Sequence, residues 1–198
     1  MTLSSPEFYA RRVTINDLTY AKQATNMFNE ANKLVCGGWT SVAHTVKAYG
    51  TTVQATEKYI KKSVAGEAIM LLAIKRDAEG NDEAIVGALT IEDAALSIDP
   101  KPYSFSGNNN EAMLGQFAIN PKYQSKGLGR LLMDTAIEAM REKAYKKCPI
   151  LVSENRDILL NWYKKLGFSD TNVPIPWTMP DQLEMVQDVK FKLLIKDL

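Results

Sequence analysis

The sequence is short of several things, and each shortage excludes a class of protein. It holds two cysteines, Cys36 and Cys148, and one histidine, His44, in 198 residues. Two cysteines cannot build a disulfide framework and these have no metal-ligand spacing, so no disulfide-stapled scaffold and no metal is expected. Cys148 opens an apolar run, where a thiol is usually buried and inert. No apolar run approaches bilayer-spanning length, and the opening "MTLSSPEFYARR" lacks an apolar leader core; a soluble, cytoplasmic protein without a membrane partner is expected. Excess charge is missing as well, with 24 Lys and Arg against 23 Asp and Glu. A balanced chain offers no basic field to attract nucleic acid, so that partner is not expected.

What the chain does have is core material. An apolar content of 45% is enough for one substantial core, and a single domain over 1–198, with residues 1–10 as a flexible lead-in, is the expected organisation. "RRVTI" reads as a first strand. Asn16 or Asp17 then caps a helix carrying Leu18, Ala21, Met27, Phe28, Ala31 and Leu34 at helical spacing. After an irregular, glycine-bearing stretch, a second helix is expected over 53–64. "EAIMLLAIKR" and "EAIVGALTIED" are strand-like runs joined by the turn-rich "DAEGN", the pattern of an antiparallel hairpin. "LSIDPKPYSFSGNNN" reads as a long loop and "AMLGQFAIN" as a strand stopped by Pro121. A long helix to about Tyr145 follows, then a buried strand "PILVS". A helix over about 157–166 comes next, with Gly167 as its C-terminal cap. "FSDTNV" and "VKFKLLIKDL" close the chain as strands. This order predicts an α/β (α+β) protein with a mixed, mostly antiparallel sheet of six to seven strands flanked by four helices.

The most informative stretch is "PKYQSKGLGRLLM", residues 121–133. A strand, a glycine-rich turn and a helix in succession make a ready anion site, because the first N–H groups of a helix are free and its dipole favours negative charge. A nucleotide P-loop needs Gly-Lys-Ser/Thr, whereas Gly129 is followed by Arg130 and Leu131. A dinucleotide fingerprint needs a third glycine and a preceding parallel unit, and neither is present. A tight turn without ligand remains the plain alternative, but it has no need of the donors and charge that Gln124, Lys126 and Arg130 set around the glycines.

Here the chain resembles a family. "Gln124-Ser125-Lys126-Gly127-Leu128-Gly129" matches the Gln/Arg-x-x-Gly-x-Gly/Ala signature of the GNAT superfamily of acetyl-CoA-dependent N-acetyltransferases. "LGQFAINPKYQSKGLGRLLM" is similar to that superfamily's fourth strand and third helix. "LVSENRDILLNWYKKLGF" is similar to its fifth strand and fourth helix, ending in a Tyr-x-x-x-Gly-Phe pattern at Tyr163, Gly167 and Phe168.

The resemblance implies that the backbone N–H groups of Ser125, Lys126, Gly127, Leu128, Gly129 and Arg130, with Gln124 at the turn's start, wrap the pyrophosphate of coenzyme A. Lys126 and Arg130 would add charge-assisted contacts or simply be solvated. It implies that Phe117, Ala118 and Ile119 bond the pantetheine arm through their main chain, one amide also stabilising the oxyanion. Asn155 resembles a cofactor-contacting Asn after the fifth strand, displaced by one residue from the usual spacing. Tyr163 matches the tyrosine that relatives use as general acid. A phenol stays protonated at neutral pH and can donate. The general base is open: the position aligned with the fourth-strand Glu of histone-type relatives is Met113. Glu92 is the first candidate, with Glu111 and His44 behind it. The acceptor, a small-molecule amine or a peptide, is expected between segments 33–54 and 174–189, lined by Trp39, His44, Tyr49 and Trp177. The expected activity is direct acetyl transfer to a primary amine by a monomer or homodimer. A catalytically degenerate domain that binds coenzyme A as a sensor or scaffold is the alternative.

Overall fold

A computed structural model describes residues 7–31, 50–94, 110–175 and 190–198. Seven strands and four α-helices run through these residues: β1 (Phe8–Arg12), α1 (Ala21–Ala31), α2 (Val53–Val64), β2 (Ile69–Arg76), β3 (Asp82–Asp93), β4 (Ala112–Ile119), α3 (Leu128–Glu142), β5 (Lys147–Ser153), α4 (Asp157–Lys165), β6 (Ser169–Ile175) and β7 (Phe191–Asp197). The predicted succession holds. The sheet, however, is in two pieces: β1-β2-β3-β4 and β5-β7-β6, every pairing antiparallel.

β2 is apolar at every position from Ile69 to Ile74 because both of its faces are covered. Met70, Leu72 and Ile74 face α1 and α2, packing with Phe28, Met27 and Ile60. Ile69, Leu71 and Ala73 face α3, packing with Leu132, Met133, Ala136 and Met140. α4 joins this second cluster through Leu160 and Tyr163, against Cys148, Ile150 and Val152 of β5. Each fully buried aliphatic side chain contributes about 1.5–3 kcal/mol relative to exposure.

Two boundaries at the N-terminus differ from the sequence expectation. The first strand begins at Phe8 and ends at Arg12, not at Arg11–Ile15. Phe8 and Tyr9 pack on opposite faces of the sheet, an alternation that keeps the chain in register with β2. The helix cap is Thr14, with Asp17 completing a capping box, and the first turns, Ile15–Tyr20, are 3-10 before α1 starts at Ala21. Asp17 thus serves at the third position of the first turn and not as the N-cap itself, and the Arg11 guanidinium holds it inward at 2.7 and 2.9 Å.

Candidate functional site at the parting of β4 and β5

β4 and β5 touch only at their beginnings. The Asn110 carbonyl accepts from the N–H groups of Lys146 (2.7 Å) and Lys147 (3.2 Å), and one isolated parallel bridge joins Glu111 to Lys147. Beyond that point, among the described residues, β4 pairs only with β3 and β5 only with β7. Successive backbone groups of a strand point to alternate edges. Among the described residues, both strands therefore turn N–H and C=O groups without a ladder partner into the gap between them, with the Leu114 backbone meeting the Cys148 thiol. Such a gap suits a linear ligand that carries amides of its own.

A bulge sits in β4 beside this gap. Leu89 pairs with Phe117 and Ile91 with Leu114, so Thr90 alone faces both Gly115 and Gln116. The Thr90 hydroxyl replaces the missing ladder partner by accepting from the Gln116 N–H at 2.7 Å. Only glycine fits at 115, since a Cβ there would lie 2.7 Å from Thr90 Oγ1.

At the far end of β4, Asn120 turns the chain: its carbonyl accepts from Tyr123 and its side chain from the Lys122 N–H. Gln124 Nε2 reaches back to the Ile119 carbonyl at 3.4 Å. Ser125 (φ 64°) and Gly127 (φ 79°) both take the left-handed conformation, which bends the backbone around an open concavity before α3 begins. α3 has no side-chain N-cap, and among the described residues no acceptor takes the N–H groups of residues 125–130. A Cβ on Gly127 would meet nothing within 4 Å. The turn is thus open, with unspent donors and the positive end of a fifteen-residue helix behind it. The two cations are held aside. Lys126 Nζ lies over the rings of Phe8 and Tyr123, 5.7 and 5.5 Å from their centroids, and Arg130 pairs with Asp134 at 2.8 Å. Both arrangements are at the surface and cheap to exchange for a phosphate.

α4 covers the same gap from one face. Its Trp162 meets Phe117 of β4 (centroids 6.0 Å apart), and its Tyr163 packs with Cys148 of β5. The Tyr-x-x-x-Gly-Phe pattern is a helix terminus that fixes this tyrosine. Gly167, at φ 87°, donates to the Lys164 carbonyl, and Phe168 donates to the Tyr163 carbonyl at 3.1 Å. This is a Schellman motif, and its usual apolar contact is made by the rings of Tyr163 and Phe168, 5.4 Å apart. Tyr163 is only 7% exposed. Burial, with a smaller push from Cys148, raises its phenol well above the ordinary range. The Cys148 thiol, buried as expected, is pushed up to about 12.

The other face carries the carboxylates. Glu92 is the cross-strand partner of Met113, the position where the histone-type Glu is missing. Lys62 Nζ of α2 holds Glu92 at 3.1 Å, and Thr90 and Glu92 both perturb the Tyr59 phenol. Burial first, then the charge of Glu92, keeps the Tyr59 phenol protonated far above its ordinary value. Tyr59 lies in the helix expected over 53–64 and was not singled out there; the available signal was a lone Thr inside the apolar "EAIVGALTIED". Glu111, two residues before Met113, is 4% exposed and its Oε2 has no hydrogen-bond partner among the described residues. Asn155, just before α4, is exposed and its Oδ1 accepts from Ser153 Oγ at 2.6 Å. His44, Trp39, Tyr49, Trp177 and Cys36 lie outside the described residues. Among the described residues no group of three or more His, Cys, Asp or Glu side chains could hold a metal, and no helix is long and apolar enough to cross a membrane.

The sequence model of the Acetyltransferase (GNAT) family matches residues 45–168. The chain belongs to the GNAT acetyltransferase family. Its members are acetyl-CoA-dependent acyltransferases, and this GNAT domain keeps their fold across nearly its whole length. The Salmonella typhimurium protein yncA, solved with its cofactor acetyl-CoA, is 15% identical, with 98% of this chain and 95% of that one covered and a TM-score of 0.67. The ribosomal-protein-alanine N-acetyltransferase of Brucella melitensis is 15% identical, with 96% and 99% covered and a TM-score of 0.65. The paia N-acetyltransferase of Thermoplasma acidophilum, solved with coenzyme A, is 16% identical, with 98% and 100% covered and a TM-score of 0.59. No curated protein matches the sequence.

Proposed function

We propose that this GNAT enzyme moves an acetyl group from acetyl-CoA to a primary amine of a small molecule or peptide by direct transfer. The observation that carries the reading is the open turn of residues 124–130 at the end of a gap with unpaired strand edges, closed on one face by a phenol and bordered on the other by a carboxylate. The residues fit the cosubstrate. The N–H groups of 125–130 suit a pyrophosphate, the main chain of Phe117, Ala118 and Ile119 suits the amides of pantetheine, and Gly127 leaves open space within 4 Å of where a Cβ would stand.

Acetyl-CoA would supply the activated acyl group as a thioester. Glu92 takes the proton that the attacking amine loses as its bond to the acyl carbon forms. An amide of the β4 main chain holds the oxyanion. Tyr163 donates its proton to the departing sulfur; its raised phenol keeps that proton available across the physiological range. The acid and the base lie on opposite faces of the sheet, so the amine and the thioester approach from opposite sides.

One observation favours a second reading, a coenzyme A sensor without turnover: Glu92 Oε1 is already engaged by Lys62 Nζ at 3.1 Å, a contact that must open before the carboxylate can take a proton from an amine. Thiol release from acetyl-CoA over a panel of amines and peptides tests the two. Turnover that falls about 10²–10⁴-fold in Tyr163→Phe, with acetyl-CoA binding retained, is the expected result. Tight binding with no turnover across the panel overturns it in favour of the sensor.

A further inference from the structure

Thr90 is 2% exposed and lies in the middle of an otherwise apolar stretch of β3, where burying a hydroxyl is costly unless its bonds are made. Its bonds are all made to parts of the candidate site. Oγ1 accepts from the Gln116 N–H at 2.7 Å and faces the Gln116 carbonyl at 3.4 Å. The Tyr59 phenol of α2 is near enough to Thr90 and Glu92 for both to perturb it. Glu92 is anchored by Lys62. One side chain therefore stands between the bulge that precedes Phe117, Ala118 and Ile119 and the carboxylate across the sheet. A plain strand at 114–117 would pair its N–H groups with β3 and carry the following residues in a different phase, since each inserted residue turns the strand over.

We propose that Thr90 is a positioning residue for the transfer: its hydroxyl holds the β4 bulge open, setting the phase of the main chain that lies along the gap. This rests on the reading of the gap as the acetyl-CoA site. Gly115 is the other half of the device, because its missing Cβ is what lets Oγ1 reach the Gln116 amide. The prediction is that the bulge is held by this hydroxyl and not by packing alone.

The test uses the full chain, with coenzyme A and acetyl-CoA titrated by calorimetry and Gln116 amide exchange followed by NMR. Thr90→Val keeps the shape and removes the hydroxyl. It should speed Gln116 exchange about tenfold or more, the worth of one buried hydrogen bond, and weaken binding of both probes about tenfold. Thr90→Ser, which restores the hydroxyl, should return binding to within about threefold, a rescue that a purely structural role for the methyl group would not give. Gly115→Ala attacks the same contact from β4 and should lower affinity like Thr90→Val; it decides the matter if the valine variant does not fold. A wild type that binds both probes, together with Thr90→Val or Gly115→Ala binding equally well, overturns the inference alone. A wild type that binds neither probe removes the reading of the gap and this inference with it.

Discussion

The two glycines of the turn, so alike in sequence, are expected to respond oppositely to alanine. Gly127 stands at φ 79°, in the left-handed region, and a Cβ there would touch nothing within 4 Å. The cost to the fold is thus backbone strain alone, about 1–2 kcal/mol. For a chain of this length that is a fall in melting temperature of about 2–8 °C. The methyl group would stand in the open concavity. If a phosphate occupies that space, the methyl pushes it off at least one N–H, and losing one charge-assisted bond of about 1.5–3 kcal/mol lowers affinity roughly ten- to hundredfold. Gly129 has no positive φ. Its Cβ would lie 3.5 Å from Trp162 and 3.8 Å from Phe117, ordinary contact distances. Alanine there should leave stability unchanged or raise it by up to about 1 kcal/mol, with acetyl-CoA affinity within about threefold of wild type. This accounts physically for a signature that admits Gly or Ala at its second glycine and only Gly at its first. Thermal melts and calorimetric titrations with acetyl-CoA on the same preparations read both quantities. Wild-type affinity in Gly127→Ala, or equal losses in the two variants, would refute the idea that close main-chain approach at 127 is what the turn is for.

Three other outcomes follow from the geometry. Asp17→Asn should cost about 1–3 kcal/mol in urea unfolding, because it removes the close charged partner of Arg11 and leaves the part-exposed guanidinium only the looser contact to Asp82 at 3.7 Å. Burial pushes the Asp17 carboxyl up, but the bonds from Arg11 and Thr14 outweigh it and hold it below its ordinary value. Its stabilising contribution is therefore complete above the unfolded value of about 3.9 and disappears as pH falls through the lower folded value; a wild-type urea midpoint that is flat through this range while the Asn variant's falls would contradict it. Gly167→Ala, at φ 87° with Lys196 Nζ 2.8 Å from the new Cβ, should destabilise by about 1–2 kcal/mol and lower turnover more than acetyl-CoA affinity, since it disturbs the terminus that fixes Tyr163. Cys148, with its thiol pushed up to about 12, should resist iodoacetamide at pH 8 in the folded protein and react once unfolded, read by mass spectrometry of its peptide.

The site was legible in the sequence where a single local constraint dictates residue type. Gly127 and Gly167 are such positions, each a left-handed backbone at a helix end, and the turn and the α4 terminus were found from them. The hairpin of β2 and β3 was legible because "DAEGN" leaves the chain no other course. Positions set by contacts across strands were not. That Glu92 faces Met113 depends on the register of β3 against β4, and that register shifts at a bulge. A hint of the bulge was present, since glycine inside a strand marks such places, and Gly115 sits in "AMLGQFAIN". Tyr59 went unread because a tyrosine on an amphipathic helix is ordinary until a partner on another element is known. The N-terminal boundary slipped for a related reason: Asp17 has cap chemistry, but it serves at the third position of the first turn, held there by a bidentate arginine from β1.

The cost of the arrangement bears on whether the domain turns over or only binds. Tyr163 buries its phenol, which pushes it well above the ordinary range, and Glu111, where β4 and β5 part, has one oxygen sealed from water and without a hydrogen-bond partner among the described residues. Each such group left unsatisfied costs about 1–3 kcal/mol, a large share of what a domain of this size has to spare. A module that only recognises coenzyme A could do so with the turn and the strand edges, and it would be more stable with phenylalanine at 163 and an apolar residue at 111. Retaining both polar groups beside the gap makes physical sense if something that enters the gap completes their bonds. A developing thiolate needs a proton donor where Tyr163 lies, and an ammonium needs a negative partner on the face that carries Glu92. A buried phenol at 163 is a group that a transfer reaction requires and that a binding site can do without.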